Sequence, residues 1–198
     1  MKEKIEFWFD FGSTYSYPAV MRIPMLARRH EIEFVYKPFL LGSIFKKQGW
    51  NTSPFLLNLS KGKYMWRDLE RICAEEEISF NKPSAFPRNG LLASRIVCSF
   101  ENENWIDPFI RSVFRENFAN DQDISSSLVI AQILRELNLQ PDEIFLKAEL
   151  LETKEKLKLQ TERAFDCGIF GAPTFRIGNE LFWGNDRLES AIKWSNKV

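Results

Sequence analysis

The sequence predicts an α/β fold in which a helical insertion splits a β-rich domain. The first 40 residues read strand, helix, strand, and this unit of about 35 residues is typical of a parallel crossover. A long middle section has mainly helical periodicity, and two short strands and a helix follow Gly168. This order predicts a thioredoxin-like domain built from residues 1–40 and 165–198, with residues 41–164 inserted as an all-helical domain.

The first two strands and the helix between them are predicted from local patterns. Residues 4–10 alternate in polarity and are rich in β-formers, which predicts a strand. Ser13 or Thr14 then predicts the start of a helix over 15–29, because hydroxyl side chains favour the N-cap position. Residues 31–37 again alternate and predict the second strand.

Helix formers dominate the middle of the chain, and Pro, Asn and Gly interrupt them. The predicted helices span 63–77, 89–102, 105–117, 126–138, 142–149 and 152–166. Beyond them, strands over 173–178 and 180–183 are joined by a hairpin turn at Gly178-Asn179. A last helix, to about Trp194, begins at Asn185 or Asp186.

Composition excludes several classes of function. The chain has 198 residues with 27 Lys+Arg and 27 Asp+Glu, so its formal net charge is zero. This balance argues against a nucleic-acid partner, because neutralising phosphates requires a basic excess. No apolar stretch approaches the ~20 residues of a membrane span. The N-terminus has no apolar segment of the signal-peptide type, so we expect no membrane partner and a cytoplasmic protein.

Cysteine and histidine are too few for a metal centre. The three cysteines, Cys73, Cys98 and Cys167, form no CxxC motif, and the chain has one histidine. Such spacing suits neither a disulfide framework nor a zinc site. We therefore expect buried free thiols and no metal ion.

The first candidate site lies around Ser13, where the first strand ends and the first helix begins. Backbone N–H groups and the positive end of a helix dipole gather at such a place, which suits an anion or a thiolate. The Ser13 hydroxyl is able to donate a hydrogen bond to a ligand's sulfur, but a serine that only caps the helix fits equally. Asp10 either orients the backbone near Ser13 or is purely structural.

The second candidate site is Ala172-Pro173, where a proline opens a strand. Proline cannot donate to a sheet ladder, so it is either an ordinary edge-strand proline or a residue with a special conformation. A thioredoxin-like fold places a cis-proline here, against the N-terminus of the first helix. In that case the Ala172–Pro173 bond is cis, and the backbone of Ala172 is free to pair with an extended peptide.

The third candidate site is Asn185-Asp186, where another strand ends and another helix begins. The backbone N–H groups of such a helix start suit a carboxylate, while Asp186 suits an amine. Together they would hold the two charged groups of an α-amino acid. Simple capping of the last helix is the alternative.

The three sites belong to segments that carry a resemblance to a known family. The segments are Phe9-Asp10-Phe11-x-Ser13-x-Tyr15-Ser16-Tyr17, Phe170-Gly171-Ala172-Pro173-Thr174-Phe175 and Phe182-Trp183-Gly184-Asn185-Asp186-Arg187, supported by 37–42, 49–54, 61–69 and 83–87. Over nearly its whole length the chain resembles the 2-hydroxychromene-2-carboxylate isomerases. These enzymes belong to the DsbA-like branch of thioredoxin folds and are similar to kappa-class glutathione transferases.

The resemblance implies glutathione as the cofactor and a set of residues that bind it. The residue matching Ser13 contacts the sulfur and is catalytic, and the one matching Asn51 contacts the tripeptide. Ala172, before the cis-proline, pairs with the cysteinyl backbone, and Asn185 with Asp186 holds the γ-glutamyl end. The implied binding set is Ser13, Asn51, Ala172, Pro173, Asn185 and Asp186.

The resemblance also implies an activity and a substrate. The activity is glutathione-dependent cis–trans isomerisation of 2-hydroxychromene-2-carboxylate to trans-o-hydroxybenzylidenepyruvate-type compounds, by reversible addition of the glutathione thiolate. Lys46 or Lys47 either receives the carboxylate of this small aromatic substrate or is simply solvated. DsbA proteins have cysteines where this chain has Ser13 and Ser16, so dithiol–disulfide exchange is excluded there.

Two other functions stay open at this point. One is a kappa-type glutathione transferase or peroxidase that acts on another electrophile. The other is a non-catalytic thioredoxin-like module that binds extended peptides. A homodimer is compatible with each of them.

Overall fold

A four-stranded mixed sheet forms the centre of the protein. The computed structural model describes residues 4–197, so residues 1–3 and 198, at the ends of the predicted outer segments, lie outside the described residues. The strands are β1 (Ile5–Phe9), β2 (Phe34–Pro38), β3 (Thr174–Ile177) and β4 (Glu180–Trp183). Their order is β2-β1-β3-β4, with β1 parallel to β2 and both other pairs antiparallel. The sheet and the helices between β2 and β3 confirm the predicted α/β fold.

Ten α-helices surround the sheet in the described part of the chain. They are α1 (Ser16–His30), α2 (Leu41–Lys47), α3 (Pro54–Leu57), α4 (Leu59–Glu75), α5 (Leu91–Ser99), α6 (Ile106–Phe118), α7 (Ser127–Glu136), α8 (Pro141–Glu149), α9 (Leu151–Asp166) and α10 (Leu188–Ser195). The sequence patterns predict α4 to α9 but miss α2 and α3. These two helices have seven and four residues, too few for a helical period to be visible.

The strand predictions are confirmed, with one boundary shifted. Ile177 pairs with Glu180 across the predicted hairpin turn. The second strand begins at Phe34, three residues later than predicted. Glu31 ends α1 in the left-handed conformation (φ 53°), so the chain is still turning there and cannot yet pair in the sheet.

The predicted caps of two helices are wrong. Helix α1 begins at Ser16, and its N-cap Tyr15 makes no side-chain capping bond. The hydroxyls of Ser13 and Thr14 are used in tertiary contacts instead, Thr14 donating to a methionine sulfur in α4. Asn185 opens a single 3₁₀ turn before α10 and makes no side-chain capping bond either.

A phenylalanine-rich core joins the sheet to the inserted helices. Phe7 of β1 stacks on Phe9 and on Phe175 of β3, with ring centroids 5.1 and 5.4 Å apart. Phe9 continues to Phe114 of α6 at 5.8 Å, and Phe114 lies 6.4 Å from Tyr17 of α1. One hydrophobic cluster therefore runs through both parts of the chain. The division into a 1–40 plus 165–198 domain and a 41–164 domain stays a prediction.

Candidate functional site

A cavity of about 1230 Å³ lies between the end of the sheet and the inserted helices. Small-molecule pockets typically measure ~300–1,000 Å³, so this one has room for more than one small ligand. The predicted site residues that line it are Ser13, Asn51, Ala172, Asn185 and Asp186. Pro173 is the exception: it is buried behind the lining, and its carbonyl accepts the Gly184 N–H at 2.9 Å.

Ser13 lies in a tight loop between β1 and α1. Its N–H donates to the carbonyl of Asp10 at 2.9 Å, and its hydroxyl donates to the carbonyl of Ala172 at 3.0 Å. Within residues 4–197 the N–H groups of Tyr15 and Ser16, at the start of α1, have no acceptor. The loop therefore presents free backbone donors beside the Ser13 hydroxyl, as the start of a helix should.

The backbone around Ala172 is open to the cavity. The Ala172–Pro173 peptide bond is cis, as predicted. The Ala172 N–H has no acceptor in the described part of the chain, and the carbonyl keeps one lone pair beyond the one that Ser13 uses. Ala172 is thus able to exchange backbone hydrogen bonds with a peptide-like ligand.

Asn185 and Asp186 form the far end of the cavity. Asn185 is buried, and its Oδ1 lies 3.5 Å from a guanidinium nitrogen of Arg22, which also pairs with Glu76 and Glu189. No residue in 4–197 accepts from the Asn185 side-chain amide. Asp186 is exposed, and its closest cation is the adjacent Arg187 at 3.4 Å. The Asn185 amide is therefore unpaired in the described residues, and Asp186 makes only one exposed ion pair, so both can meet a charged ligand.

Asn51 reaches the cavity from the segment that follows α2. Trp50 N–H donates to the carbonyl of Phe45 at 2.9 Å, which folds this segment back on the helix. Asn51 itself is exposed and makes no side-chain hydrogen bond within residues 4–197.

The positive charge in the lining comes from Lys61 and Arg88, which the sequence patterns do not indicate. Neither Lys46 nor Lys47 lines the cavity, and the Lys47 ammonium lies 4.1 Å from the ring of Phe165, outside it. Lys61, in the first turn of α4, lines the cavity, and no carboxylate of residues 4–197 pairs with it. The segment 61–69 contributes to the resemblance, but no pattern in it singles out this lysine.

Arg88 also lines the cavity, but its charge is already neutralised. Its guanidinium pairs with Asp121 and donates to the carbonyl and side chain of Asn117 at 3.2 and 3.3 Å. Asn117 in turn donates to the Phe11 carbonyl at 2.9 Å. This buried network therefore supports the Ser13 loop from behind.

Aromatic rings form much of the remaining wall. Phe170 and Trp183 pack edge to face at 4.8 Å, and both are about half exposed. The Trp183 indole lies against the backbone of Gly171, where an added Cβ would come within 2.4 Å of the ring nitrogen. Glycine is thus required at this position, and the rings provide an apolar surface next to Ala172.

Two ionisable side chains in the lining have raised pKa values. Burial raises the pKa of Asp10, although hydrogen bonds from Leu41 and Gly12 lower it again in part. The Tyr15 hydroxyl donates to Asp68 at 2.9 Å, and burial together with this carboxylate raises the pKa of the phenol.

The described residues contain neither a metal-binding cluster nor a membrane-spanning helix. Nowhere in residues 4–197 do three His, Cys, Asp or Glu side chains come together in a way that could hold a metal ion. No helix within the same range is both long and apolar enough to cross a bilayer.

Comparison with known proteins decides the family. The model of the DSBA-like thioredoxin domain matches residues 4–192. The chain belongs to the DSBA-like thioredoxin domain family.

Relatives within this family confirm the resemblance found in the sequence. The chain is 25% identical over 190 residues to a 2-hydroxychromene-2-carboxylate isomerase from Sphingobium xenophagum, covering 96% of each chain. It is 24% identical over 201 residues to glutathione S-transferase kappa 2 from Caenorhabditis elegans, covering 94% of this chain and 89% of the relative. A solved 2-hydroxychromene-2-carboxylate isomerase superposes with a TM-score of 0.84 at 24% identity, over 98% of this chain and 94% of the other.

Proposed function

We propose that the protein is a glutathione-dependent isomerase of 2-hydroxychromene-2-carboxylate or a closely related aromatic carboxylate. The observation that carries this proposal is the convergence of Ser13, Asn51, Ala172 and Asn185-Asp186 on one cavity. They come from four separate parts of the sequence, yet each presents a polar group that has a free donor or acceptor site.

The free polar groups fit the chemistry of glutathione. This tripeptide has two carboxylates, one ammonium, two amides and a thiol. Asp186 suits the ammonium, the Asn185 amide suits the adjacent carboxylate, and the Ala172 backbone suits the cysteinyl amides. Lys61 suits the second carboxylate, because it is the unpaired cation of the lining within residues 4–197.

Bound glutathione would supply a nucleophilic thiolate that adds reversibly to a conjugated carbon and is regenerated. Ser13 and the start of α1 provide the means to favour that thiolate. A free thiol has a pKa of ~8.5, and a hydroxyl donor together with unpaired helix N–H groups stabilises the anion. The chain's own contribution is therefore to hold the sulfur deprotonated at Ser13.

The Ser13 hydroxyl has only one proton, so it can donate either to the Ala172 carbonyl or to a bound sulfur, but not to both at once. In the free protein that proton is donated to Ala172. When the hydroxyl turns to donate to a bound sulfur, a cysteinyl N–H would take its place at the Ala172 carbonyl. Binding of the tripeptide backbone and activation of its thiol are thus linked through Ala172.

The size of the cavity and its aromatic walls also suit the aromatic substrate that would bind beside glutathione. The rings of Trp50, Phe45, Phe170 and Trp183 line the same cavity. A flat aromatic carboxylate would pack against such rings. Its binding would exclude water from the cavity, which would strengthen its polar contacts.

A substrate panel with and without glutathione tests the proposal. We expect conversion of 2-hydroxychromene-2-carboxylate only when glutathione is present, with the total glutathione unchanged after many turnovers. An equal rate without glutathione would refute the cofactor.

The kappa-type relative supports a transferase as the second candidate. Steady consumption of glutathione, with a conjugated product accumulating from another electrophile, would establish that candidate and overturn the isomerase.

A further inference from the structure

Asp10 joins its own loop in the cavity wall to a segment that lies 31 residues further along the chain. Its Oδ1 accepts the N–H of Gly12 at 2.7 Å, within the loop that carries Ser13. Its Oδ2 accepts the N–H of Leu41 at 2.9 Å, at the first residue of α2. One carboxylate is therefore shared between the segment that places Ser13 and the helix that leads to Asn51.

We propose that Asp10 is a positioning residue that couples the Ser13 loop to helix α2, so that the thiol-activating hydroxyl and the Asn51 side of the cavity are set together. This inference rests on the proposed binding of glutathione. Asp10 lies in the cavity lining, but we assign it no bond to the ligand.

The Ser13 side of the link is short. Asp10 holds Gly12 through its side chain and Ser13 through its own carbonyl, which accepts the Ser13 N–H at 2.9 Å. Gly12 is buried, and a Cβ there would come within 3.0 Å of the Arg88 carbonyl. The loop is thus packed from behind, so we expect a change at Asp10 to be transmitted to Ser13.

At the start of α2, Asp10 takes the place of a missing helix cap. The N-cap residue of α2, Leu40, makes no side-chain capping bond, so the first N–H groups of the helix need acceptors from elsewhere. Asp10 accepts from Leu41, and Thr161 of α9 accepts from Leu40 at 3.1 Å. These two side chains hold the start of α2, and the segment with Asn51 folds back on its end.

The presence of a carboxylate at position 10, rather than a neutral side chain, supports a role for Asp10 beyond stability. No cation in residues 4–197 pairs with Asp10, and burial of the unpaired charge raises its pKa. A buried charge without a cation is costly, and a neutral side chain would lower that cost. Only a carboxylate of this length offers two acceptor oxygens to two N–H groups, whereas asparagine offers one acceptor and one donor.

Asp10→Asn is the main test, with the pKa of bound glutathione's thiol and glutathione affinity as readouts. The thiolate's ultraviolet absorbance gives the pKa, and calorimetry gives the dissociation constant. We expect the pKa to rise by at least half a unit, roughly a threefold loss of thiolate at neutral pH. We also expect affinity to fall roughly two- to tenfold, because one of the two clamped segments is released.

Two further variants separate coupling from loss of stability. Thr161→Val releases only the α2 start, so it should weaken affinity and leave the thiol pKa unchanged. Asp10→Asn introduced into Ser13→Ala should not raise the pKa further, because Asp10 acts on the sulfur through Ser13. An additive rise in the double variant would overturn the coupling.

Amide hydrogen exchange of the wild-type protein keeps the proposal testable if Asp10→Asn does not fold. The Gly12 and Leu41 amides should both be protected in the free protein, and glutathione should increase both protections together. Protection of only one of them, or an increase at only one, would refute the link. If the wild-type protein binds no glutathione, the proposed function fails, while the exchange of these two amides in the free protein still decides whether Asp10 joins the segments.

Discussion

The hydroxyl of Ser13 donates a hydrogen bond of 3.0 Å to the carbonyl of Ala172, although 159 positions separate the two residues in the sequence. This bond closes the end of the cavity where a strand, a helix start and the loop before β3 meet. It also places the proton that would activate a bound thiol next to the backbone that would bind the same ligand.

Replacing Ser13 by alanine should lower turnover far more than it weakens glutathione binding. In the proposed complex the hydroxyl would contact only the sulfur, while Asn51, Ala172 and Asn185-Asp186 would hold the rest of the ligand. A hydrogen bond to a charged group is worth about 1.5–3 kcal/mol, so its loss should raise the bound thiol's pKa by roughly one to two units. Ultraviolet titration of the thiolate measures this rise. An unchanged pKa would mean that the start of α1 alone activates the sulfur.

Ser16→Ala is the matched control for Ser13→Ala and carries its own prediction. Ser16 is three residues further along, is fully buried, and its hydroxyl has no hydrogen-bond partner within the described residues. Removing an unsatisfied buried hydroxyl relieves a desolvation cost of about 1–3 kcal/mol, and alanine also favours the helix. The free energy of unfolding, measured in urea, should rise by about 1 kcal/mol with the thiol pKa unchanged. A loss of stability would reveal a buried partner for this hydroxyl.

Lys61→Gln should weaken glutathione binding, whereas Lys63→Gln should not. Both lysines are exposed and lie on α4, but only Lys61 lines the cavity. An exposed ion pair is worth about 0.2–1 kcal/mol, so we expect an affinity loss of roughly two- to fivefold. The salt dependence of the affinity should fall as well, because salt screens exposed charges. Calorimetry at two salt concentrations checks both effects, and equal behaviour of the two variants would contradict the role of Lys61.

Alkylation of the folded protein should be confined to Cys167. Cys73 and Cys98 are almost completely buried, and burial raises the pKa of each thiol to about 12. Because the thiolate is the reactive form, both should be nearly inert at pH 8, whereas Cys167 is partly exposed. Mass spectrometry of the native protein after iodoacetamide treatment should show one modified site. Rapid modification of Cys73 or Cys98 would mean that the core opens readily.

The stability of the wild type relative to Asp10→Asn should fall as the pH rises through the folded pKa of Asp10. Burial raises the pKa of Asp10 above its ordinary value of 3.8, so the folded protein binds the proton more tightly than the unfolded chain does. The stabilisation from protonated Asp10 is complete below the ordinary value and is lost as the pH rises through the folded pKa. Urea unfolding of both proteins at several pH values measures the difference. A difference that is constant with pH would show that folding does not raise the pKa of Asp10.

Much of the fold and several site positions were predictable from local patterns. Alternating β-formers indicate the four strands, and long helical periods indicate α4 to α9, because these signals depend only on nearby residues. Ordered motifs around Ser13, Ala172 and Asn185-Asp186 indicate the site in the same way. The two short helices α2 and α3 were missed because a helix of one or two turns leaves no period in the sequence.

The tertiary structure alone decided how these side chains are used. Ser13 donates to Ala172 instead of capping α1, Pro173 lies behind the lining, and Lys61 reaches the cavity where Lys46 and Lys47 do not. Asp10 contacts Leu41 only because the ends of β1 and β2 lie side by side in the sheet. The sequence by itself determines which residue types and elements occur in which order. Hydrogen bonds and cavities between distant segments depend on how the packed elements direct their side chains, and no local pattern contains that information.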